Sequence, residues 1–499
     1  MEIRYKSTRG DGTLISASQA VLQGLAPDGG LYVPDAIPSL DTPLQDLAEM
    51  EYKEIAYLVM SKFLSDYTEA ELKDCIEKAY DSKFDTPRIA PVVLKGQAYY
   101  MELFHGATIA FKDMALSILP HLLTKAAQKN EITDEIVILT ATSGDTGKAA
   151  LAGFADVEGT RIAVFYPKGG VSRIQELQMV TQKGDNTFVA GVHGNFDDAQ
   201  TGVKKMFNDA ELKQELKEKG FRFSSANSIN IGRLVPQIAY YVWAYSRLVK
   251  DGAVKAGEKI NFVVPTGNFG NILAGYYAKL MGLPVKKLIC ASNDNKVLYD
   301  FFRTGIYNRN REFILTTSPS MDILISSNLE RLIFKVCAFS PEQNRQYMKD
   351  LTEKGVYTLT LNQIAQLDDF VPGYADEQED AQEIRRMYEE TGYVMDPHTA
   401  VASAVYRKYR LESGDETPAV IVSTASPYKF ARSVMTAIDP AYEKLDDFAL
   451  IEELRKTSDI PVPNAIREIL DAQIRHDHVC EIDEMEAAVK GFLGVFQEQ

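Results

Sequence analysis

Apolar residues recur along this chain in two rhythms. From Leu44 to Tyr67 they fall at helical spacing, with Leu47, Tyr52, Ile55 and Leu58 apolar, and Glu69 to Tyr80 continues in the same way. Ahead of them, Ala26-Pro27-Asp28-Gly29-Gly30-Leu31-Tyr32-Val33-Pro34 is turn chemistry: proline presets φ and glycine admits positive φ. From Glu135 the rhythm changes. Ile136-Val137-Ile138-Leu139-Thr140 is a buried-strand run that feeds Ala141-Thr142-Ser143-Gly144-Asp145-Thr146-Gly147 and then a helical pattern from Lys148 to Ala155. Arg161 to Tyr166 is the next strand. Lys259 to Val264 is another, leading into Pro265-Thr266-Gly267-Asn268-Phe269-Gly270-Asn271 and a helix through Leu280. Lys287 to Ala291 follows, and late in the chain Ala419 to Val422 runs into Ser423-Thr424-Ala425-Ser426-Pro427.

Strands alternating with helices predict an α/β fold, a mostly parallel sheet with helices on both faces. Ligands of such sheets gather at the carboxyl ends of strands, and each of the three loops just named leaves a strand at that end. Between about Phe301 and Gln378 the alternation weakens. Arg303, Arg309 and Arg311 surround Gly305, and Met321 to Phe334 is strongly amphipathic, so this stretch reads as an insertion beside the sheet. Helical patterns from Ala381 to Glu390 and Thr399 to Tyr409 return the chain to its last core strand. The expected division is an N-terminal domain over 1–95, an α/β core over 96–300 and 380–440, an insertion over 301–379 and a helical cap over 441–499. Length alone suggests roughly two to four domains. There are no repeats and no low-complexity stretches.

The charge balance narrows the function classes. Fifty-four basic against seventy acidic side chains leave a formal charge of −16, which argues against nonspecific binding to nucleic acid or an anionic membrane. A phosphate ester would have to be met by locally placed cations, backbone N–H groups and helix N-termini. No run approaches membrane-spanning length, and the opening residues are too polar for a signal peptide, so the expected location is the cytoplasm. Cys75, Cys290, Cys337 and Cys480 are scattered and read as reduced thiols. His476, His478 and Cys480 alternate so that a strand would present them on one face, but no partner cluster accompanies them and no metal is expected.

The stretch Leu103-Phe104-His105-Gly106-Ala107-Thr108-Ile109-Ala110-Phe111-Lys112-Asp113-Met114-Ala115-Leu116 holds one lysine among apolar and small residues. A lysine drawn into such surroundings loses hydration, its pKa falls, and the neutral amine becomes a nucleophile or base. Schiff-base chemistry needs such an amine; read alone, the residues equally suit a helix-start lysine with its stem along the surface. Gly267 to Asn271 is a tight glycine loop opening a helix, able to turn several N–H groups toward an anion. Its spacing is neither GxGxxG nor a P-loop, so it suits a single phosphate and disfavours a dinucleotide-binding oxidoreductase. Ser143 to Gly147 offers hydroxyls and N–H groups at another helix start, where an ordinary N-cap is the alternative. Ser224 to Arg233 adds hydroxyls, amides and one arginine able to grip an oxyanion bidentately.

Phe104-His105-Gly106-x-Thr108-x-Ala110-Phe111-Lys112-Asp113, the Ser143–Gly147 loop, Pro265 to Asn271, Thr424-Ala425-Ser426-Pro427-Tyr428-Lys429-Phe430, Ala26 to Pro34 and Asn328-Leu329-Glu330-Arg331-Leu332 together resemble the threonine synthase family of bacterial and fungal type. The matches fall in order from about residue 1 to 435. Ala107 departs from the family, which often has proline there; this should alter loop stiffness more than chemistry. The resemblance implies a fold-type II (tryptophan synthase β-like) enzyme dependent on pyridoxal 5'-phosphate. Lys112 would carry the cofactor as a Schiff base, with Phe111 packed nearby. Gly267, Asn268, Phe269, Gly270 and Asn271 would hold its phosphate, and Thr424 would offer a hydroxyl to its ring nitrogen. Thr108, Ser143, Asp145, Thr146, Asn227, Ser228 and Arg233 are the implied substrate contacts, with Asp145 standing where related enzymes often carry asparagine near the cofactor. The implied activity is that of a lyase, converting O-phospho-L-homoserine and water to L-threonine and phosphate, the last step of threonine biosynthesis. Another fold-type II lyase or dehydratase, and a noncatalytic phosphoamino-acid binder, are the alternatives. The expected partner is a small-molecule substrate, with no nucleic acid and no membrane; monomer and dimer both stay open.

Overall fold

In the computed structural model, which describes residues 2–142, 144–171, 173–458, 460–470 and 472–495, the strand runs of the sequence assemble into two larger sheets, accompanied by two short antiparallel ribbons. β1 (Tyr5–Ser7) and β2 (Tyr32–Pro34) form an antiparallel ribbon. In chain order there follow β3 (Val92–Lys95), β4 (Ala98–Glu102), β5 (Glu135–Ala141), β6 (Thr160–Pro167), β7 (Thr187–Val192), β8 (Phe221–Ser224), β9 (Ile260–Pro265), β10 (Val285–Ser292), β11 (Ile306–Asn308), β12 (Val356–Thr358), β13 (Phe370–Tyr374), β14 (Ala419–Ser423) and β15 (Val479–Cys480). The larger sheet has the order β13-β10-β9-β14-β4-β3 and is parallel except for the β3–β4 hairpin. The second, β15-β7-β6-β5-β8, is parallel throughout. β9 and β14 are buried at every position, as continuous apolar strands covered on both faces must be.

Register places the site. Ile421 of β14 lies opposite Val263 of β9 and Tyr100 of β4, so three adjacent strands end side by side. Their carboxyl ends lead to Leu103, Thr266 and Thr424. In the second sheet, neighbouring strands β5 and β8 lead to the Asp145–Phe154 and Ile231–Lys250 helices. The Ile231–Lys250 helix is buried nearly all round and packs on the helices Tyr52–Phe63 and Gly270–Leu280. Its Trp243 donates from Nε1 to the Ala90 carbonyl at 2.6 Å and meets Tyr52 edge to face, tying the N-terminal region to the core.

Several sequence expectations change shape. The helical pattern from Leu44 splits into a 3-10 turn, Asp46–Glu49, and a helix, Tyr52–Phe63, which starts where the Glu51 N–H is taken by the Glu54 carboxylate at 2.8 Å. The amphipathic stretch from Met321 becomes helical only at Leu329–Val336. The stretch expected as an insertion over 301–379 enters the sheet itself: β13 is its edge strand, with Phe370 opposite Leu288. The C-terminal cap also carries a strand, β15, whose Val479 pairs with Gly191. There His476 Nε2 meets the Gln182 carbonyl at 3.0 Å, His478 packs on Phe188, and Cys480 is buried. Among the described residues no group of three or more His, Cys, Asp or Glu side chains could hold a metal ion. Among them, too, no helix is long and apolar enough to cross a membrane.

Candidate active site

The turn carrying Lys112 is fixed by its own sequence and by β14. Leu103 N–H donates to the Ser423 carbonyl at 2.9 Å and Phe111 N–H to the Thr424 carbonyl at 2.8 Å, so the turn lies against the end of β14. Asp113 folds back beneath it. Its carboxylate accepts the Thr108 N–H at 2.8 Å and the Thr108 hydroxyl at 2.5 Å. A Cβ at residue 106 would stand 2.7 Å from that carboxylate, so only glycine allows the approach. Ile109 takes a left-handed φ of 54° within the turn. Thr108 therefore serves the turn: its hydroxyl and N–H go to Asp113, and its carbonyl accepts from Lys429 Nζ at 3.0 Å. This leaves its hydroxyl committed inside the protein, where a substrate contact had been expected.

Lys112 stands at the start of the short Asp113–Leu116 helix, with its side chain mostly buried. Its Nζ donates to Ser320 Oγ at 3.1 Å, lies 3.8 Å from Asp145 Oδ2, and sits 5.8 Å from the Phe111 ring centre. Burial pulls its pKa down to about 8; Asp145 opposes the fall, while the charges of Lys429 and Arg233 deepen it. Burial alone would raise the Asp145 pKa, but Lys429 and then Lys112 outweigh it and hold the carboxyl well below the usual range. Lys429 reaches Asp145 Oδ1 at 3.2 Å, and Gln175 donates to the same oxygen at 3.2 Å. The result is a buried amine with its pKa lowered to about 8 beside a carboxyl held in its charged form.

Two anion-ready groups face this centre. At Gly267–Asn271, Phe269 has a left-handed φ of 65°, and its ring packs away from the loop onto Phe302 and Phe370, which leaves only its backbone for a ligand. Gly267 is in close contact with the chain opposite: a Cβ there would stand 2.4 Å from the Ser320 carbonyl. Asn271 accepts from the hydroxyls of Tyr240 at 2.6 Å and Tyr241 at 2.7 Å, while its buried Nδ2 has no partner. A donor left unsatisfied in such a place costs stability until an acceptor arrives, and a phosphate oxygen beside the helix N-terminus fits it. Asn268 is exposed and Gly270 opens the helix.

Arg233 is the second. It lies in the first turn of the Ile231–Lys250 helix, 4% exposed, with Nη1 on the Ala226 carbonyl at 3.0 Å and a buried Nε that has no partner. Burial lowers its pKa to about 10, so it stays cationic at neutral pH. Asn227 and Ser228 occupy the exposed side of the loop before that helix and bond each other at 3.2 Å. Asn328 ties this loop to the glycine loop, donating to the Ser228 carbonyl at 3.3 Å and the Asn268 carbonyl at 3.0 Å. Thr146 is half-buried in the first helical turn after Asp145; Ser143 lies outside the described residues. Thr424 is buried just past β14.

Four participants escaped the sequence reading as site residues: Ser320, Lys429, Asn328 and His398, which is buried and accepts the Ser320 N–H on Nε2 at 3.1 Å. Lys429 lay inside a quoted motif. Ser320 and His398 arrive from segments far from Lys112 in sequence, and no local pattern marks them.

Residues 4–80 match the family model described as threonine synthase N terminus, 94–425 that of pyridoxal-phosphate dependent enzymes, and 399–489 that of threonine synthase, C-terminal. Threonine synthase-like 1 of Macaca fascicularis is 40% identical over 435 residues, covering 84% of this chain; the chain spans 58% of that protein's length. The crystal structure of threonine synthase from yeast superposes with a TM-score of 0.89 at 31% identity, covering 99% of both chains. The pyridoxal-phosphate-bound threonine synthase of Brucella melitensis gives 0.87 at 33% identity, covering 98% of this chain and 99% of its own.

Proposed function

We propose, for a chain that belongs to the threonine synthase family of pyridoxal-phosphate-dependent enzymes, the conversion of O-phospho-L-homoserine and water to L-threonine and phosphate. The observation that carries the reading is the Lys112 amine, drawn down to about 8 and standing between Asp145 and Ser320. Lys112 is the anchor for the cofactor's aldehyde, Gly267 to Asn271 with its unsatisfied Nδ2 is the cradle for its phosphate, and Thr424 is the hydroxyl beside its ring. When bound, the cofactor supplies an aldehyde that captures amines and a ring that accepts electrons released at the neighbouring carbon.

The chain's own residues do the rest. Lys112, tethered on a rigid turn, takes and returns protons at the substrate's α- and β-carbons, its neutral fraction rising through pH about 8. Asp145 keeps its charge and draws the lysines together without itself accepting a proton. Arg233, with a free N–H in a desolvated place, receives one of the substrate's two anions, the phosphate by preference, since a charged bidentate donor suits the group that leaves. Thr146, Asn227 and Ser228 line the approach from the strand ends of the second sheet and are the companion contacts. The test is direct: incubate the protein with pyridoxal phosphate and O-phospho-L-homoserine and assay products. Threonine and phosphate in equal amounts support the reading. A keto acid with ammonia would instead make the protein a dehydratase, and no turnover would leave it a binder.

A further inference from the structure

Ser320 comes from the 3-10 turn Pro319–Met321, more than two hundred positions from Lys112, yet its hydroxyl holds the Lys112 amine at 3.1 Å and leans on Asp145 at 3.4 Å. A surface turn would not hold such a geometry unaided. Its backbone is pinned from below: the Ser320 N–H donates to His398 Nε2 at 3.1 Å. That bond fixes the imidazole tautomer, because the accepting Nε2 leaves the proton on Nδ1, which faces Asp396 Oδ2 at 2.7 Å. Asp396 is fixed in turn as the cap of the Pro397–Ser413 helix, accepting the N–H groups of His398 at 3.0 Å and Thr399 at 3.2 Å and the Thr399 hydroxyl. The ring rests against Phe430, and both His398 and Asp396 are buried. On its other side the turn abuts Gly267 of the glycine loop.

We infer that the buried Asp396–His398 pair positions Ser320, and that Ser320 aims the Lys112 amine. Ser320 is the contact to the reacting nitrogen; His398 and Asp396 act through it and are positioning residues. By donating to Asp145 and accepting from Lys112, the hydroxyl fixes which way the amine's remaining hydrogens and lone pair point. The proposal rests on Lys112 as the working base of the proposed reaction, but the first arm of its test does not need the substrate.

The experiment labels Lys112 by acylation across pH in the cofactor-free full-length chain and reads the labelled peptide by mass spectrometry. The groups that act on Lys112 are Asp145, Lys429, Arg233 and Asp113, and none is altered. Wild type should show a midpoint near 8. S320A removes an acceptor that favours the charged amine, so the midpoint moves down by about one pH unit, the size of one hydrogen bond to a charged group. H398N keeps an amide within reach of Asp396 but none at the Nε2 position, and should move the midpoint the same way; H398Q, whose amide oxygen can take the Ser320 N–H, should restore it. The double variant S320A/H398N should match S320A alone, as expected of residues acting in series. In the cofactor-loaded protein with O-phospho-L-homoserine, S320A should lower kcat by about ten- to a hundredfold with KM little changed. An unmoved midpoint in S320A, or an H398N protein equal to wild type in midpoint and kcat, overturns the proposal. Midpoint shifts in a protein that makes no threonine would keep the positioning role and remove the proposed reaction instead.

Discussion

Two buried lysines flank Asp145, and their partners separate their duties. The Lys429 side chain is buried and holds two close oxygen partners, the Asp145 carboxylate at 3.2 Å and the Thr108 carbonyl at 3.0 Å. Lys112 faces a neutral hydroxyl at 3.1 Å and stands 3.8 Å from the same carboxylate. Burial alone does not make a reactive amine. What does is burial with an incomplete set of compensating contacts, and Lys429 completes the carboxylate's pairing so that Lys112 can be left short. The motif Phe111-Lys112-Asp113 therefore depends on a lysine more than three hundred residues later in the sequence.

The sharpest way to break the contrast is to remove the deficient partner. K112A should abolish lysine attachment of the cofactor and lower turnover by at least about a thousandfold, read by product formation and by the visible absorbance of the bound cofactor. Near-normal multiple turnover in K112A would show that Lys112 is not the base. Removing the better-paired lysine should act differently. K429M removes the nearer of the two lysines from Asp145, leaving it Lys112 at 3.8 Å and the neutral donors Gln175 and Ser320, and costs about 3–5 kcal/mol of stability by breaking a buried pair, checked by denaturant unfolding. Because the Lys429 charge depresses the Lys112 pKa, its loss raises that pKa, so the rising limb of the pH–rate profile moves to higher pH. A limb that moves to lower pH contradicts this assignment.

R233A tests the other cation. Loss of a charged donor of roughly 1.5–3 kcal/mol should raise KM for O-phospho-L-homoserine about ten- to a hundredfold while the cofactor spectrum stays nearly intact. Inhibition by inorganic phosphate should weaken in parallel. Equal phosphate inhibition of both proteins would move the anion site elsewhere. The smallest effect is expected at Thr424: T424V should keep cofactor binding but alter its spectrum and slow proton transfer, and an unchanged spectrum with unchanged rate would place the hydroxyl away from the ring.

Much of this was legible in the sequence, for definable reasons. The long apolar runs of β5, β6, β9, β10 and β14 are buried on both faces, so their composition alone marks them. β7 carries Gly191 and β8 is half-exposed, which blurs their patterns, and the two-residue β15 is too short to show one. β13 fell inside the stretch expected as an insertion; its Pro372 and Gly373 obscure a strand pattern, yet as an edge strand it tolerates both. At the site, Lys112, the glycine loop and Arg233 sit in local motifs at strand ends. Thr108 entered the expected substrate contacts through the family resemblance; the structure gives its hydroxyl to Asp113. Ser320 and His398 were invisible because their meaning is a juxtaposition made by the 301–379 stretch folding onto the strand ends, which no local spacing encodes.

With Lys112 as the base, the substrate loses its phosphate at carbon and gains water at the next carbon. Turnover of O-phospho-L-homoserine in heavy-oxygen water tests it most directly, with mass spectrometry of both products. The heavy oxygen should appear in the β-hydroxyl of threonine, with none beyond background in the phosphate. Heavy oxygen in the phosphate, with unlabelled homoserine as the partner product, would mean hydrolysis at phosphorus and would contradict it.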